Sequence, residues 1–167
     1  MSLKGKAQVA APMPVPMVGS KLPDFTLPLA TKEGRSEFTL SKELGKGPII
    51  FGFFPLAFSG PCTKEMCDFR DNLNQFEGKG ARVFGFSVDS PFANHEFAKA
   101  QDLRHGIVSD PNREVVDRIW DSMTVAGIQR AAKRGAMVVS PDGTVKWVSI
   151  SDDPKVWVGV QEIQAHV

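Results

Sequence analysis

Residues 48–67 read Pro-Ile-Ile-Phe-Gly-Phe-Phe-Pro-Leu-Ala-Phe-Ser-Gly-Pro-Cys-Thr-Lys-Glu-Met-Cys. The apolar run from Ile49 to Phe54 is rich in β-branched and aromatic residues, which is typical of a strand buried on both faces of a sheet. Pro55 ends this strand, because proline cannot donate a hydrogen bond to the ladder. Gly60 and Pro61 indicate a turn, and proline also suits the first turn of a helix. The stretch therefore predicts a strand, a turn and a helix in succession.

The predicted helix begins at Cys62. Apolar residues follow it at helical spacing, so that they share one face with Cys62; they are Met66, Phe69, Leu73 and Phe76. A cysteine at a helix N-terminus lies beside free backbone N–H groups and the positive end of the helix dipole, and both favour the thiolate. A small buried residue with a packing role is the alternative, but the position favours a nucleophile.

The spacing of Pro55, Ser59 and Cys62 resembles the active-site pattern Pro-x-x-x-Thr/Ser-x-x-Cys of the peroxiredoxin family. The residues around it are similar to the bacterioferritin-comigratory (peroxiredoxin Q) group and to the neighbouring one-cysteine bacterial group. The resemblance covers about residues 19–165. It implies a thiol peroxidase in which Cys62 is the nucleophile, Ser59 hydrogen-bonds the peroxide, and Pro55 shields and shapes the site.

A later stretch supplies a cation. Arg134-Gly-Ala-Met-Val-Val-Ser-Pro-Asp-Gly resembles the family pattern Arg-x-x-Phe-Val-Ile-Asp-x-x-Gly, with a methionine for the aromatic residue and a serine for the acid. The resemblance implies that Arg134 stabilises the Cys62 thiolate and orients the peroxide. Arg130 and Lys133 compete for this role, and the spacing to the following strand favours Arg134.

The second cysteine, Cys67, is predicted to resolve the oxidised Cys62. It lies at about 140° from Cys62 on the helical wheel, away from the core face where a packing cysteine would sit. In an intact helix the two Cα atoms are about 8–9 Å apart, whereas a disulfide needs about 7 Å or less. The first helical turns must therefore open before the disulfide forms. A one-cysteine cycle, in which an external thiol resolves Cys62, stays open.

Other residues receive no catalytic role. Glu65 is predicted to be an ordinary acid of the first helical turn, favoured there by the dipole. The three histidines, His95, His105 and His166, have no recognisable pairing with Cys62.

The remaining pattern predicts an α/β fold. Two strand-like runs, 25–27 and 38–40, flank a turn and form a β-hairpin. A parallel βαβ core is indicated by the succession of strand and helix in 49–54, 62–77, 82–88 and 92–101. Further elements are expected at 107–110 (strand), 112–120 (helix), 137–140 and 145–148 (a hairpin) and 155–165 (helix).

This order is that of a thioredoxin-like fold with an N-terminal β-hairpin extension and an insertion after the second core helix. Residues 19–167 are predicted to form a single domain. Residues 1–18, in which prolines alternate with apolar residues, are predicted to be a flexible tail.

Composition excludes several classes of function. The chain has 167 residues, of which 42% are hydrophobic and 23% charged, and a net charge of +1. Neither a nucleic acid nor an anionic membrane is therefore predicted as a partner, and no apolar run is long enough to span a bilayer. Prolines interrupt the apolar part of the N-terminus, so no signal peptide is predicted.

The two cysteines are too few for a disulfide scaffold and lack the spacing of a zinc site, so we expect a reducing cytoplasm and neither metal nor cofactor. The resemblance implies hydrogen peroxide or an organic hydroperoxide as substrate, and thioredoxin or a similar thiol as reductant. Both a monomer and a homodimer stay open.

Two other classes of function compete. A thioredoxin-type disulfide oxidoreductase needs Cys-x-x-Cys and usually a cis-proline before the late strand, whereas this chain has Cys-x₄-Cys and Arg134-Gly135-Ala136. A chaperone or redox-sensing role on the same scaffold also stays open.

Overall fold

The structure, a computed structural model, describes residues 18–167. The predicted tail lies outside these residues except for Val18, and the division into tail and domain stays a prediction. The elements, in chain order, are β1 (Thr26–Ala30), β2 (Arg35–Thr39), α1 (Leu40–Glu43), β3 (Ile49–Phe53), α2 (Gly60–Gly78), β4 (Arg82–Ser87), α3 (Pro91–Ala100), β5 (Gly106–Ser109), α4 (Val116–Ile119), β6 (Ser122–Val125), β7 (Ile128–Ala132), β8 (Gly135–Val139), β9 (Val145–Ile150) and α5 (Val160–Gln164).

Seven strands form one mixed sheet in the order β2-β1-β5-β4-β3-β8-β9. The three inner strands β3, β4 and β5 are parallel, and their neighbours on both sides pair antiparallel. The predicted N-terminal hairpin, parallel βαβ core and late hairpin are confirmed. The thioredoxin-like α/β fold is confirmed with them.

The sheet separates two hydrophobic clusters. Every residue of β3 is buried, as its continuous apolar run predicts. Helices α2, α3 and α5 contribute to the cluster on one face, and the predicted apolar face of α2 lies within it. Gly52 lets α2 approach β3 closely, because a Cβ there would lie 2.5 Å from the Phe69 ring.

Two predicted helices are shorter in the structure. The helix expected over 112–120 is only α4, because Arg113 has a left-handed backbone (φ 58°) and the Asp110 carboxylate accepts the N–H groups of residues 114–116. The helix expected over 155–165 is only α5. Residues 151–159 instead form an irregular segment that lies along α2, where the Trp157 indole N–H donates to Asp68 at 3.0 Å.

A hairpin that the sequence analysis missed lies between α4 and β8. Strands β6 and β7 pair antiparallel around Ala126 and Gly127, both with positive φ (49° and 77°). Two residues with positive φ match the right-handed twist of the flanking strands. The sequence does contain a pattern typical of a hairpin turn here, because Gly127 lies between apolar, β-branched residues. Trp120, just before this hairpin, stacks on Phe53 with ring centroids 3.8 Å apart and so places the insertion beside the end of β3.

Candidate active site

The loop between β3 and α2 brings Cys62 into the core. Ser59 is the N-cap of α2, so the helix begins two residues earlier than predicted and Cys62 is its third residue. The Thr63 amide and hydroxyl both donate to the Ser59 carbonyl, at 2.9 and 2.8 Å. Cys62 is 1% exposed. It keeps its place on the inward face and in the first turn, where backbone N–H groups have no partner within the helix.

A half-buried carboxylate, that of Asp89, fixes the backbone of this loop. Asp89 Oδ2 accepts the Ala57 N–H at 2.8 Å and the Ser87 hydroxyl at 2.8 Å. Burial raises the pKa of Asp89, while both hydrogen bonds oppose the rise. Phe58, which follows, has a left-handed backbone (φ 68°) and packs its ring on Phe97. The loop therefore has a defined path into Ser59 and Cys62.

Arg134 approaches Cys62 from the sheet. Its Nη2 lies 3.0 Å from Cys62 Sγ, and its Nε donates to the Pro154 carbonyl at 2.9 Å. The side chain is 1% exposed. The next residue has to be glycine, since a Cβ on Gly135 would lie 2.1 Å from the Ser149 carbonyl oxygen. The guanidinium is thus held by a carbonyl on one side and faces the thiol on the other.

The two competing cations are engaged elsewhere. Arg130 is exposed and pairs with Asp117. Lys133 pairs with Asp121 and Asp152. Of the three basic residues, the structure brings Arg134 to Cys62.

A cavity of about 180 Å³ adjoins Cys62. Of the four other residues singled out from the sequence, Pro55, Ser59 and Arg134 line this cavity, and Cys67 does not. Its other walls are Pro61, Val125, Pro154 and Lys155. Val125 belongs to the missed hairpin, Lys155 is the first residue of the segment predicted to be helical, and Pro154 precedes it, so these walls were not foreseen. The Ser59 hydroxyl donates to the Leu56 carbonyl at 3.1 Å, which leaves its oxygen able to accept a hydrogen bond.

Glu65 is a residue of the site that the sequence analysis misjudged. It is completely buried, and its Oε2 lies 3.6 Å from Arg134 Nη1. Neither carboxyl oxygen has a hydrogen-bond partner among residues 18–167. Burial raises the pKa of Glu65 well above its ordinary value; Arg134 opposes this rise, and the charge on Cys62 adds to it. The helical spacing held the signal, because a residue three positions after Cys62 shares its inward face.

Replacing Glu65 by glutamine is expected to change the pH dependence of stability. A group whose pKa is raised by folding contributes stability at low pH, and that contribution is lost as the pH rises through the folded-state pKa. The free energy of unfolding of the wild type should therefore decrease above about pH 4.5, the ordinary pKa of the group. The Glu65→Gln variant has no ionisable group at this position, so its free energy of unfolding should not show this decrease. Urea unfolding should show similar stability near pH 4 and a more stable variant near pH 8. A variant that is less stable at pH 8 would mean that the ionised Glu65–Arg134 pair stabilises the fold.

Cys67 lies on the opposite flank of α2 and is half-buried. Its thiol donates to Gln101 Oε1 at 3.5 Å, and burial raises the pKa of this thiol. Arg70 donates to the Gln101 carbonyl at 2.7 Å, so α3 is tied to α2 beside Cys67. Both cysteines are free, and α2 runs unbroken through them. The structure does not bring the two thiols together.

The histidines are engaged away from Cys62. His95 bonds the Thr31 carbonyl, His166 stacks on Trp147, and His105 is buried against Phe69. Within residues 18–167 no group of three or more His, Cys, Asp or Glu side chains is arranged to hold a metal ion. No helix in the same part of the chain is long and apolar enough to cross a membrane.

A buried thiol in the first turn of a helix, in contact with a guanidinium and lining a largely apolar cavity, is the arrangement expected in a cysteine-dependent enzyme on a thioredoxin-like fold. The profile of the AhpC/TSA family matches residues 18–148. A putative peroxiredoxin of Mycobacterium tuberculosis is 37% identical over 134 residues, which cover 76% of this chain and 80% of the relative. The chain belongs to the AhpC/TSA family and is a peroxiredoxin, a thiol peroxidase.

Two further relatives agree with this family. The chloroplastic peroxiredoxin Q of Sedum lineare is 40% identical over 97 residues, which cover 58% of this chain and 50% of that protein. The crystal structure of peroxidoxin BcpB from Mycobacterium tuberculosis superposes with a TM-score of 0.79 at 27% identity, covering 90% of this chain and 96% of the other. The resemblance noted from the sequence is confirmed at the level of the family and its fold.

Proposed function

We propose that the protein reduces hydrogen peroxide and organic hydroperoxides through Cys62, resolves the product with Cys67, and is recycled by thioredoxin or a similar dithiol. The observation that carries this proposal is the 3.0 Å contact between Cys62 Sγ and Arg134 Nη2 in a buried site. A guanidinium there stabilises a thiolate and donates to an incoming peroxide oxygen.

In the first step the Cys62 thiolate attacks one peroxide oxygen. The S–O bond forms as the O–O bond breaks, and Cys62 is oxidised to the sulfenic acid. The second oxygen of the peroxide leaves as hydroxide or alkoxide and takes up a proton. Arg134 and the first N–H groups of α2 can stabilise the negative charge that develops on the departing oxygen. Ser59 Oγ can accept a hydrogen bond from the peroxide, because its own proton is used on the Leu56 carbonyl. Pro55 closes one wall of the cavity.

In the second step the Cys67 thiolate attacks the Cys62 sulfur. The S–S bond forms, the S–O bond breaks, and the oxygen leaves as water after protonation. The intact α2 separates the two Cα atoms by about 8–9 Å, so this step needs the first turns of the helix to open. Gly60 and Pro61 are the first two residues of α2, and terminal turns fray most readily. Slow opening would let a second peroxide oxidise Cys62 to the sulfinic acid.

The two free thiols suit a reducing compartment, and we propose the cytoplasm. The alternative cycle, in which an external thiol resolves Cys62 and Cys67 is a bystander, uses the same first step. The two cycles differ in the product that one equivalent of peroxide leaves on the protein.

Intact-mass measurement after one equivalent of hydrogen peroxide tests the proposal. We expect the wild type to become two hydrogens lighter and Cys67→Ser to become one oxygen heavier at the same initial rate. With thioredoxin, its reductase and NADPH, the variant should stall and over-oxidise. Because the attacking species is the Cys67 thiolate, disulfide formation in the wild type should accelerate as the pH rises from 6 to 9. Full thioredoxin-dependent turnover of Cys67→Ser would establish the one-cysteine cycle instead.

A further inference from the structure

The peptide bond between Leu56 and Ala57 lies in the middle of the loop that leads into the catalytic helix. Its N–H donates to Asp89 Oδ2 at 2.8 Å. Its carbonyl oxygen accepts the Ser59 hydroxyl at 3.1 Å and the Ser59 N–H at 3.4 Å. A trans peptide bond is planar and directs its N–H and its C=O to opposite sides. Asp89 and the Ser59 hydroxyl are therefore connected through one rigid unit.

The loop keeps this geometry against local strain. Phe58, between Ala57 and Ser59, has a left-handed backbone (φ 68°), which is costly for a residue with a Cβ. Such a conformation persists only where the surrounding contacts determine it. The Phe58 ring packs on Phe97, but the side chain is 56% exposed, so this contact is a weak restraint. The hydrogen bond to Asp89 is therefore the stronger hold on the loop.

A buried polar network fixes the Asp89 carboxylate in turn. The Ser87 hydroxyl donates to Asp89 Oδ2 at 2.8 Å, and the Asn94 amide donates to the hydroxyls of Ser87 and Ser109 at 3.0 and 2.8 Å. These three residues are completely buried and come from β4, α3 and β5. A fully paired buried network is rigid. No basic side chain of residues 18–167 forms an ion pair with Asp89, so its hydrogen bonds define its role.

We propose that Asp89 is a positioning residue for peroxide reduction, which acts through the Leu56–Ala57 peptide bond to hold the Ser59 proton on the Leu56 carbonyl. The Ser59 oxygen then remains an acceptor at the cavity that it lines together with Cys62. An anionic acceptor on the N–H also polarises the peptide bond, which strengthens the hydrogen bond from the hydroxyl to the carbonyl. Asp89 itself does not line this cavity. The inference rests on the proposed acceptor role of Ser59 in the first catalytic step.

Asp89→Ala removes the acceptor of the Ala57 N–H. In a Cys67→Ser background, which leaves Cys62 as the single thiol, we expect oxidation of Cys62 by hydrogen peroxide to slow about ten-fold or more, as it does when a group at the reacting centre is slightly misplaced. Alkylation by iodoacetamide needs the thiolate but not the Ser59 acceptor, so its rate should change less than about two-fold. A general loosening of the fold would change both rates together.

Two further variants serve as references. Asp89→Asn keeps an acceptor oxygen without the charge, and a charge-assisted hydrogen bond is about twice as strong as a neutral one, so oxidation should slow only about two- to five-fold. Asp24→Ala is the matched control, because the Asp24 carboxylate also accepts two backbone N–H groups, those of Phe25 and Ser41 at 3.0 and 2.9 Å. It lies outside the cavity lining and should leave both rates unchanged.

A double-mutant cycle with Ser59→Ala tests the route of the effect. Ser59→Ala should slow oxidation about ten-fold, as for the loss of one group that contacts the peroxide. Adding Asp89→Ala should then have no further effect, since residues that act through one contact are not additive. The inference is overturned by a wild-type oxidation rate in Asp89→Ala, by parallel changes in oxidation and alkylation, or by additive losses in the double variant.

Should Asp89→Ala lose structure, Asp89→Asn decides the question in the same two backgrounds, because any result other than a loss confined to the chain that has Ser59 contradicts a positioning role. The proposed function and this inference fail in different variants. A wild-type oxidation rate in Ser59→Ala rejects the acceptor role of Ser59, and the inference with it. A slow Ser59→Ala beside an unaffected Asp89→Ala rejects the inference alone.

Discussion

Replacing Cys62 by serine is expected to reduce peroxide turnover to the uncatalysed rate, a loss of about four orders of magnitude or more for removal of a nucleophile. Serine preserves the volume of the buried side chain, but its hydroxyl is a far weaker nucleophile than a thiolate at neutral pH. The measurement is peroxide consumption in single-turnover mixing, with circular dichroism to verify that the variant is folded.

Cys67→Ser is the matched control for this experiment, since it removes the other thiol of the same helix. It should retain the first oxidation step at the wild-type rate. Substantial peroxidase activity in Cys62→Ser would reject the assignment of the nucleophile, and the loss of the first step in Cys67→Ser alone would transfer that role to Cys67.

Replacing Arg134 by methionine is expected to slow sulfenic acid formation by about ten- to a thousand-fold, as for the loss of one important donor in the transition state. Methionine fills much of the buried space but removes the donor that lies 3.0 Å from Cys62 Sγ. Arg130→Met is the matched control, because Arg130 is exposed and pairs with Asp117. A slow Arg130→Met with an unaffected Arg134→Met would move the role to Arg130.

Glu65 makes a second control necessary. Arg134→Met also removes the cation that faces the buried Glu65 carboxyl, so part of the effect could come from that group. The double variant Arg134→Met/Glu65→Gln removes both members of the pair. If the rate remains low in the double variant, the loss belongs to the missing guanidinium; recovery to the wild-type rate would assign it to the unpaired Glu65.

Local sequence signals determined most of the fold and the centre of the site. The apolar run of β3, the Gly60-Pro61 turn and the spacing of the α2 core residues are short-range patterns, and each is governed by neighbours within one or two turns. They placed Cys62 in the first turn of a helix, on its inward face, and the structure has it there. Cys67 was likewise placed off the core face by spacing alone.

Tertiary structure decided everything that depends on contacts between distant segments. Spacing to the following strand favoured Arg134, and Arg130 and Lys133 competed because all three lie in one basic stretch. The structure gives Arg130 and Lys133 acidic partners, whereas Arg134 is held by the carbonyl of residue 154 and contacts Cys62. The burial of Glu65, and the contribution of Val125 and Pro154 to the cavity beside Cys62, likewise depend on contacts between distant segments. Helical spacing predicts which face of the helix a residue occupies. Which residues pack against that face depends on long-range contacts, and these contacts determine the pKa of a buried group.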